Sequence, residues 1–304
     1  MSDTVLEVKN LVTTFRINKK EYPVIRDISF EIHENETLCM VGESGCGKSV
    51  TTLSVMGLLP ENGAVRSGSI KLCGEELLGM SPRQLGQVRG KKMGMIFQEP
   101  MTSLNPLLTI GYQLTEGLRQ HLGMSKAEAH ATAVSYLEKV GIANAEERMK
   151  QFPFQLSGGL RQRIMIAMMM SLQPRLLIAD EPTTALDVTI QKQVLLLLNR
   201  LKQDMKTGIL FITHDLGVVA QIVDRVIVLY SGSKVEEGAT RQIFENPLHP
   251  YTNGLIAAAP SPASPRRSAA AASIPAAPMP PNAAGRKCLR RWNMSPAILW
   301  PVTR

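Results

Sequence analysis

Residues 42–49 constrain the fold of this chain more than any other stretch. They read Gly-Glu-Ser-Gly-Cys-Gly-Lys-Ser, which fits the spacing G-x-x-x-x-G-K-[ST] of a phosphate-binding P-loop. The run Thr37–Val41 before the loop is short and apolar, as expected of a buried strand. The run from Ser49 to Leu59 after it has helical spacing and stops before Pro60. Strand, glycine loop and helix together form the context that the motif requires.

This motif predicts a site for the phosphates of a nucleotide. Glycines let backbone N–H groups turn inward around an anion, and a helix N-terminus adds partial positive charge. Lys48 is placed to reach the β- and γ-phosphates, and the Ser49 hydroxyl can ligate Mg²⁺. The expected nucleotide-binding residues of the loop are Gly42, Glu43, Ser44, Gly45, Cys46, Gly47, Lys48 and Ser49.

Composition excludes several other classes of protein. The chain has 304 residues and no run of 18 uncharged apolar residues, so no membrane span is predicted. The start, MSDTVLEVKN, carries acidic residues and no apolar core, so we expect no signal peptide. The four cysteines show no C-x-x-C pair and no metal-binding spacing, which is typical of a reducing cytosol.

The net charge of +8 resides mainly in one part of the chain. Residues 260–304 hold seven basic residues and no acidic one, which leaves a net charge of about +1 for residues 1–259. A nearly neutral folded part binds phosphate backbones weakly, so we expect no nucleic-acid partner. The Ala-, Pro- and Arg-rich composition of residues 261–304 predicts a disordered tail.

Hydrophobic patterns predict an α/β fold. Residues 4–41 alternate apolar and polar side chains, which indicates antiparallel strands joined by a turn at 18–20. Between about 102 and 159 helical patterns replace strand patterns, notably over Lys126–Val140 with Ser125 as N-cap. Buried strands at 176–180 and 208–213 then alternate with helices, which favours a mostly parallel sheet covered on both faces.

Polar residues end or directly follow three predicted strands, which span 92–98, 176–180 and 208–213. A carboxylate at Asp180 can hold Mg²⁺ beside the P-loop, and Glu181 can polarise the attacking water as general base. Gln98 can coordinate Mg²⁺ or water, although a residue of this kind taken alone is more often simply a polar strand end. His214 can hydrogen-bond a γ-phosphate, although a histidine at a strand end is more often structural.

A second glycine motif occurs at 156–162, Leu-Ser-Gly-Gly-Leu-Arg-Gln. It opens a predicted helix over Arg161–Gln173 and forms a second candidate anion site at a helix N-terminus. Because one chain has one γ-phosphate to bind, this second site makes sense if it serves a neighbour's nucleotide. The alternative is a glycine N-cap. Four methionines on the helix are expected to be core packing; they are Met165, Met168, Met169 and Met170.

Together these motifs resemble those of an ABC transporter ATPase subunit over roughly residues 5–240. In that family they are the Walker A, Q-loop, signature, Walker B, D-loop and H-loop motifs. Here they correspond in order to 42–49, Gln98, 156–162, 176–182, Ala185–Asp187 and His214. The resemblance implies a P-loop NTPase (RecA-like) core with an antiparallel β subdomain and an inserted helical subdomain. It also implies two ATPase domains that pair head to tail, with ATP between one Walker A motif and the other signature motif.

Roles for individual residues follow from the resemblance. It implies that Lys48 and Ser49 bind phosphate and Mg²⁺, that Asp180 binds Mg²⁺, that Glu181 is the catalytic base, and that Gln98 and His214 sense the γ-phosphate. At the signature motif, Ser157, Gly158 and Gly159 would contact the partner's ATP. Phe15 occupies the place of the aromatic residue that stacks on adenine, with Tyr22 as the alternative.

Two stretches resemble a narrower group, the dipeptide, oligopeptide and nickel importers. They are Gln98–Pro106 and Asn246–Thr252, the latter reading Asn-Pro-Leu-His-Pro-Tyr-Thr. The resemblance implies a second ATPase subunit, two transmembrane permease subunits and, indirectly, an extracytoplasmic binding protein. It places the chain at the cytoplasmic face of a bacterial inner membrane. Peptides, glutathione and nickel stay open as substrates.

The expected domain division is an ABC ATPase domain at 1–260 followed by the tail. The helical subdomain would span about 100–165 and the importer-type extension about 240–260. Phe154 departs from the narrower group, which usually has His there, and Cys46 is expected to be a small loop residue. A four-cysteine iron–sulfur motif often follows the extension in this group; the tail here has only Cys288, so we expect no cluster.

A soluble ABC protein that acts on ribosomes or DNA is the alternative from another class. Translation-type members carry two ATPase domains in one chain, and repair types carry long coiled-coil or zinc insertions. This chain has a single set of motifs and no zinc spacing. The importer hypothesis is therefore favoured.

Overall fold

The computed structural model describes residues 3–97, 103–183 and 188–258. The strands are β1 Thr4–Ile17, β2 Lys20–His33, β3 Thr37–Val41, β4 Gly63–Leu72, β5 Glu75–Glu76, β6 Met93–Ile96, β7 Leu176–Asp180, β8 Gly208–Ile212, β9 Arg225–Tyr230 and β10 Ser233–Ala239. The α-helices are α1 Lys48–Met56, α2 Pro82–Val88, α3 Ile110–Leu122, α4 Lys126–Lys139, α5 Ala145–Arg148, α6 Gly158–Ser171, α7 Val188–Met205, α8 Leu216–Ile222, α9 Thr240–Glu245 and α10 Pro250–Ala258.

The larger sheet carries the P-loop. Its strand order, within the described ranges, is β10-β9-β3-β8-β7-β6. Strand β10 pairs with β9 antiparallel, and every other neighbouring pair is parallel. All residues of β3, β7 and β8 are buried, which explains why these strands are continuous apolar runs. The expectation of a mostly parallel sheet is confirmed.

Each face of this sheet packs against a different layer. In β3, Cys39 and Val41 belong to one core cluster, together with apolar residues of α3, α4, α6 and α7. Leu38 and Met40 belong to a second cluster, which they share with α1 and the strands of the smaller sheet. Because neighbouring side chains of a strand point to opposite faces, a single buried strand joins both cores.

The smaller sheet is antiparallel, with order β2-β1-β4-β5 in the part of the chain that the structure describes. The predicted turn between β1 and β2 is confirmed at Asn18 and Lys19, which have φ values of 48° and 64°. In this hairpin Phe15 pairs with Tyr22, and on the other side Phe15 pairs with Gly63 of β4. The two candidate adenine-stacking rings are therefore cross-strand neighbours.

The helical segment agrees with the sequence except at some helix ends. Ser125 caps α4 in a capping box with Glu128, as predicted. Helix α6 begins at Gly158, three residues before the predicted start, because the Ser157 hydroxyl caps it. The four methionines of α6 are buried, so their prediction as core residues is confirmed.

Helix α1 is shorter than predicted. It ends at Met56 because Gly57 takes a left-handed conformation with φ 62° and closes the helix, whereas the sequence predicted a helix to Leu59. Gln98, the Ala185–Asp187 stretch and the tail at 261–304 lie outside the described residues. In the described ranges, no helix combines the length and apolarity needed to cross a bilayer.

The substitution Phe211→Ala tests how much the buried central strands contribute to the free energy of unfolding. Phe211 is 1% exposed in β8, where it packs in the cluster between the sheet and the helices. We expect Phe211→Ala to lower the free energy of unfolding by about 3–5 kcal/mol in urea denaturation, because it leaves a cavity in a close-packed core. The matched control Leu196→Ala removes an exposed side chain of α7 and should cost less than about 1 kcal/mol. Equal losses in the two variants would contradict this description of the core.

Candidate nucleotide site

The P-loop connects the carboxyl end of β3 to the first turn of α1. Gly42 and Gly47 take φ values of 149° and 111°, which other residues rarely adopt. A Cβ on Gly42 would lie 2.3 Å from the Leu229 carbonyl oxygen, and one on Gly47 would lie 2.7 Å from Ile25 Cδ1. Both glycines are therefore needed for the loop to pack closely against neighbouring strands.

Lys48 lies at the base of this loop and is 7% exposed. Its ammonium nitrogen donates hydrogen bonds to the carbonyl oxygens of Gly42, at 2.7 Å, and Glu43, at 2.9 Å. These acceptors hold the ammonium in place without cancelling its charge. A polyanion such as a nucleotide phosphate chain would gain from that charge, which the helix N-terminus of α1 reinforces.

Cys46 belongs to the body of the loop. Its sulfur lies 3.7 Å from the Lys48 ammonium nitrogen, and the residue is 6% exposed. Burial raises the pKa of the Cys46 thiol, although the positive charge of Lys48 opposes the shift. The thiol is thus neutral near pH 7, which favours the interpretation of Cys46 as a small, packed loop residue.

Asp180 ends β7 and faces the start of α1. Burial raises the pKa of its carboxyl from 3.8 to about 6, and the neighbouring Glu181 charge adds to the rise. A hydrogen bond from the Ser49 hydroxyl and the charge of Lys48 act in the opposite direction. Carboxylate and hydroxyl oxygens side by side are ligands that Mg²⁺ prefers, so Asp180 and Ser49 fit such an ion.

Glu181 is held in an unusual backbone conformation beside His214. Its φ is 48°, in the left-handed region, and its N–H donates to the Ile212 carbonyl oxygen of β8 at 2.9 Å. The Glu181 Oε1 atom lies 3.1 Å from His214 Nδ1. A strained conformation at the end of a buried strand is a common property of functional sites. The structure thus brings together two residues that sequence analysis assigned to one reaction.

The signature motif lies at the start of α6, on a different element from Lys48 and Asp180. The Ser157 hydroxyl accepts a hydrogen bond from the Leu160 N–H at 3.4 Å. Ser157 and Gly158 are exposed, and a Cβ on Gly159 would lie 3.2 Å from Ile190 Cγ2. The exposed helix N-terminus leaves this motif open to a second molecule.

Phe15 and Tyr22 differ in how much of each ring is exposed. Phe15 is 9% exposed and belongs to the core cluster under the smaller sheet, whereas Tyr22 is 36% exposed. The adenine of a nucleotide needs an open face of an aromatic ring on which to stack. More of Tyr22 than of Phe15 is open to such a ligand, although the resemblance favours Phe15.

One P-loop contact was missed by sequence analysis. The Tyr251 hydroxyl accepts a hydrogen bond from the Glu43 N–H at 3.0 Å. Tyr251 belongs to the stretch Asn246–Thr252, which the sequence marked as distinctive. No local pattern could have indicated its contact with the P-loop, because the two residues are 208 positions apart.

The fold and this site define a P-loop ATPase. A glycine loop and its lysine follow a buried parallel strand, an acidic pair ends β7, and a histidine follows the strand between them. Residues 25–184 match the family model described as ABC transporter. Residues 235–289 match that of the oligopeptide/dipeptide transporter C-terminal region. The chain belongs to the ABC transporter family and is one of its ATP-hydrolysing, ATP-binding subunits.

Curated relatives and solved structures agree on this family. The chain is 53% identical over 258 residues to the oligopeptide transport ATP-binding protein AppD of Bacillus subtilis, covering 84% of this chain and 79% of the relative. It is 49% identical to OppD of Salmonella typhimurium over 259 residues, covering 85% and 77%. The dimeric structure of the bacterial ABC transporter cassette MJ0796 matches with a TM-score of 0.69 and 26% identity, covering 78% of this chain and 99% of the cassette. A post-hydrolysis structure of that cassette, bound to ADP and Pi, matches with a TM-score of 0.66, 27% identity and the same coverage.

Asp180 makes the stability of the protein depend on pH. Its raised pKa means that the folded state disfavours the ionised carboxyl, so the contribution of Asp180 to stability falls as pH rises from about 4 to about 6 and stays lower above that. We expect Asp180→Asn to raise the free energy of unfolding at pH 8 by up to about 3 kcal/mol in the absence of nucleotide, and to have little effect at pH 4.

The measurement is urea denaturation of both proteins at the two pH values. Asp204→Asn is the matched control, because it removes the same charge from an exposed position on α7. This control should leave the difference between pH 4 and pH 8 unchanged. A lower stability of Asp180→Asn than of the wild type at pH 8 would contradict the assignment of a costly buried charge to Asp180.

Proposed function

We propose that this chain drives a bacterial importer of dipeptides or oligopeptides by binding and hydrolysing ATP at residues 42–49. The observation that carries the proposal is the grouping of Lys48, Asp180, Glu181 and His214 at one edge of the parallel sheet. Support for the substrate class comes from relatives named as oligopeptide or dipeptide transport ATP-binding proteins. The match of residues 235–289 to the C-terminal region of such transporters supports it further.

In this proposal the P-loop and the end of β7 hold the triphosphate and its metal ion. Lys48 would contact the β- and γ-phosphates, and Ser49 and Asp180, which are hydrogen-bonded to each other, would hold Mg²⁺. Gln98 is proposed to complete the metal site and lies outside the described residues. When bound, Mg²⁺ supplies positive charge that offsets the charge on the phosphate oxygens. Phe15 or Tyr22 stacks on the adenine.

Glu181 acts as the general base. Its carboxylate accepts a proton from the water that attacks the γ-phosphate, while the bond from the γ-phosphorus to the bridging oxygen breaks and ADP leaves. His214 Nδ1, when protonated, donates to that carboxylate across 3.1 Å. The second ring nitrogen of His214 then stays available to hydrogen-bond the γ-phosphate. The bond from the Glu181 N–H to Ile212 fixes the backbone from which the carboxylate projects.

Two ATPase subunits pair head to tail around the nucleotide. Ser157, Gly158 and Gly159 of one subunit contact the γ-phosphate bound by the other, so ATP binding closes the pair and hydrolysis reopens it. Closure reorients two transmembrane permease subunits, which receive substrate from an extracytoplasmic binding protein. The chain works at the cytoplasmic face of the inner membrane and takes no nucleic acid as partner.

The general base is tested by Glu181→Gln. An amide has the shape of the carboxylate but cannot accept the proton, so we expect ATP hydrolysis to fall by at least about 100-fold. ATP binding persists, and the closed dimer accumulates. The measurements are phosphate release and size-exclusion chromatography with ATP and Mg²⁺. Asp204→Asn is the control. If Glu181→Gln hydrolyses ATP at the wild-type rate, the assignment of Glu181 is wrong.

The substrate class is tested by uptake in the producing cell. Replacing the chain by its Lys48→Ala variant should reduce the uptake of radiolabelled dipeptides or oligopeptides to background, because this subunit can no longer bind the phosphates of ATP. Nickel and glutathione uptake should not change. Loss of nickel or glutathione uptake with normal peptide uptake would contradict the proposed substrate class.

A further inference from the structure

Residues 246–258, here called the C-terminal strap, follow α9 and fold back toward the P-loop. The N–H groups of Leu248 and His249 donate to the Glu236 carboxylate of β10, at 2.8 and 3.0 Å. The strap then continues into α10, whose second residue is Tyr251. The carboxylate of one strand residue therefore fixes the point at which the strap enters its helix.

Tyr251 is held by its backbone and by its ring. Its N–H donates to His249 Nδ1 at 3.2 Å, and its ring lies 4.6 Å from the Tyr230 ring at the end of β9, with the planes at 49°. Burial raises the pKa of the Tyr251 phenol, so the hydroxyl keeps its proton near neutral pH. The hydroxyl oxygen accepts the hydrogen bond from the Glu43 N–H at 3.0 Å.

Glu43 links this tyrosine to the phosphate-binding lysine. Its N–H is bound by Tyr251, and its carbonyl oxygen accepts from the Lys48 ammonium at 2.9 Å. Further along the loop, the Cys46 carbonyl oxygen accepts from the Gly232 N–H at 2.9 Å, in the turn between β9 and β10. The P-loop is thus held at two points by the C-terminal part of the chain.

We propose that Tyr251 is a positioning residue of the ATP site, whose hydroxyl holds the first peptide group of the P-loop in the conformation that receives the phosphates. The inference rests on the proposed ATP site at residues 42–49. Tyr251 acts through Glu43 and Lys48, and it does not itself contact the nucleotide. The strap is then a part of the nucleotide site as well as an extension beyond the ATPase core.

The test is Tyr251→Phe in the full-length chain. This substitution keeps the ring against Tyr230 and removes only the oxygen that accepts from Glu43. We expect the Kd for ATP with Mg²⁺, measured by calorimetry, to rise about threefold to tenfold, with kcat changed less than about twofold. Alkylation of Cys46 by N-ethylmaleimide, followed by peptide mass spectrometry, should become several times faster because the loop opens more often.

Tyr230→Phe is the matched control, because it removes a hydroxyl from the other ring of the same pair. It should leave both the Kd and the rate of Cys46 alkylation at wild-type values. A purely structural role for Tyr251 predicts a lower melting temperature with an unchanged Kd and unchanged Cys46 alkylation. That result, or equal effects of the two substitutions, would overturn the proposal.

Two further variants keep the test decisive. If Tyr251→Phe does not fold, Glu236→Gln weakens the anchor of the strap and should shift the Kd and the Cys46 rate in the same direction; wild-type values in this variant overturn the inference. Lys48→Ala tests the ATP site itself. Normal ATP affinity in Lys48→Ala would refute the site at 42–49, whereas loss of affinity there with wild-type behaviour of Tyr251→Phe refutes only the role of Tyr251.

Discussion

The buried ammonium of Lys48 is the feature on which the rest of the site depends. A charge that is almost removed from water is costly unless polar groups surround it, and here the Gly42 and Glu43 carbonyl oxygens provide them. Those oxygens point inward only because the loop has left-handed glycines and leaves a buried strand toward a helix. The lysine, the glycines, the strand and the helix therefore form one unit, whose net charge suits a phosphate chain.

The parts of this unit that lie close together in the sequence could be predicted from the sequence. One short stretch contains the apolar run of β3, the glycines at 42–49 and the helix after them. Because these elements follow one another directly, their order in the sequence predicts how they lie in space. The position of Asp180 and Glu181 near the P-loop could be predicted, because an acidic pair at the end of a buried parallel strand lies at the same sheet edge as the P-loop. The helix cap at Ser125 was predictable for a similar reason, since a cap and its partner are three residues apart.

Features that depend on distant residues could not be predicted from local patterns. The Tyr251 hydroxyl meets Glu43 only because β9, β10 and the strap return to the P-loop. The difference in exposure between Phe15 and Tyr22 is set by the packing of the smaller sheet over its core, because both residues read as strand aromatics in the sequence. The early end of α1 was mispredicted for a different reason. Gly57 ends the helix, but the apolar residues after it continue the helical pattern in the sequence.

If this chain is the ATPase of a membrane importer, it should be bound in the cell to the subunits that span the membrane. The measurement is affinity purification of the tagged, full-length chain from detergent-solubilised membranes of the producing cell, with mass spectrometry of the proteins that accompany it. We expect to recover two multi-span permease proteins and a second ATPase in near-equal amounts. Recovery of the chain with ribosomal or DNA-bound proteins, and without any multi-span protein, would contradict it.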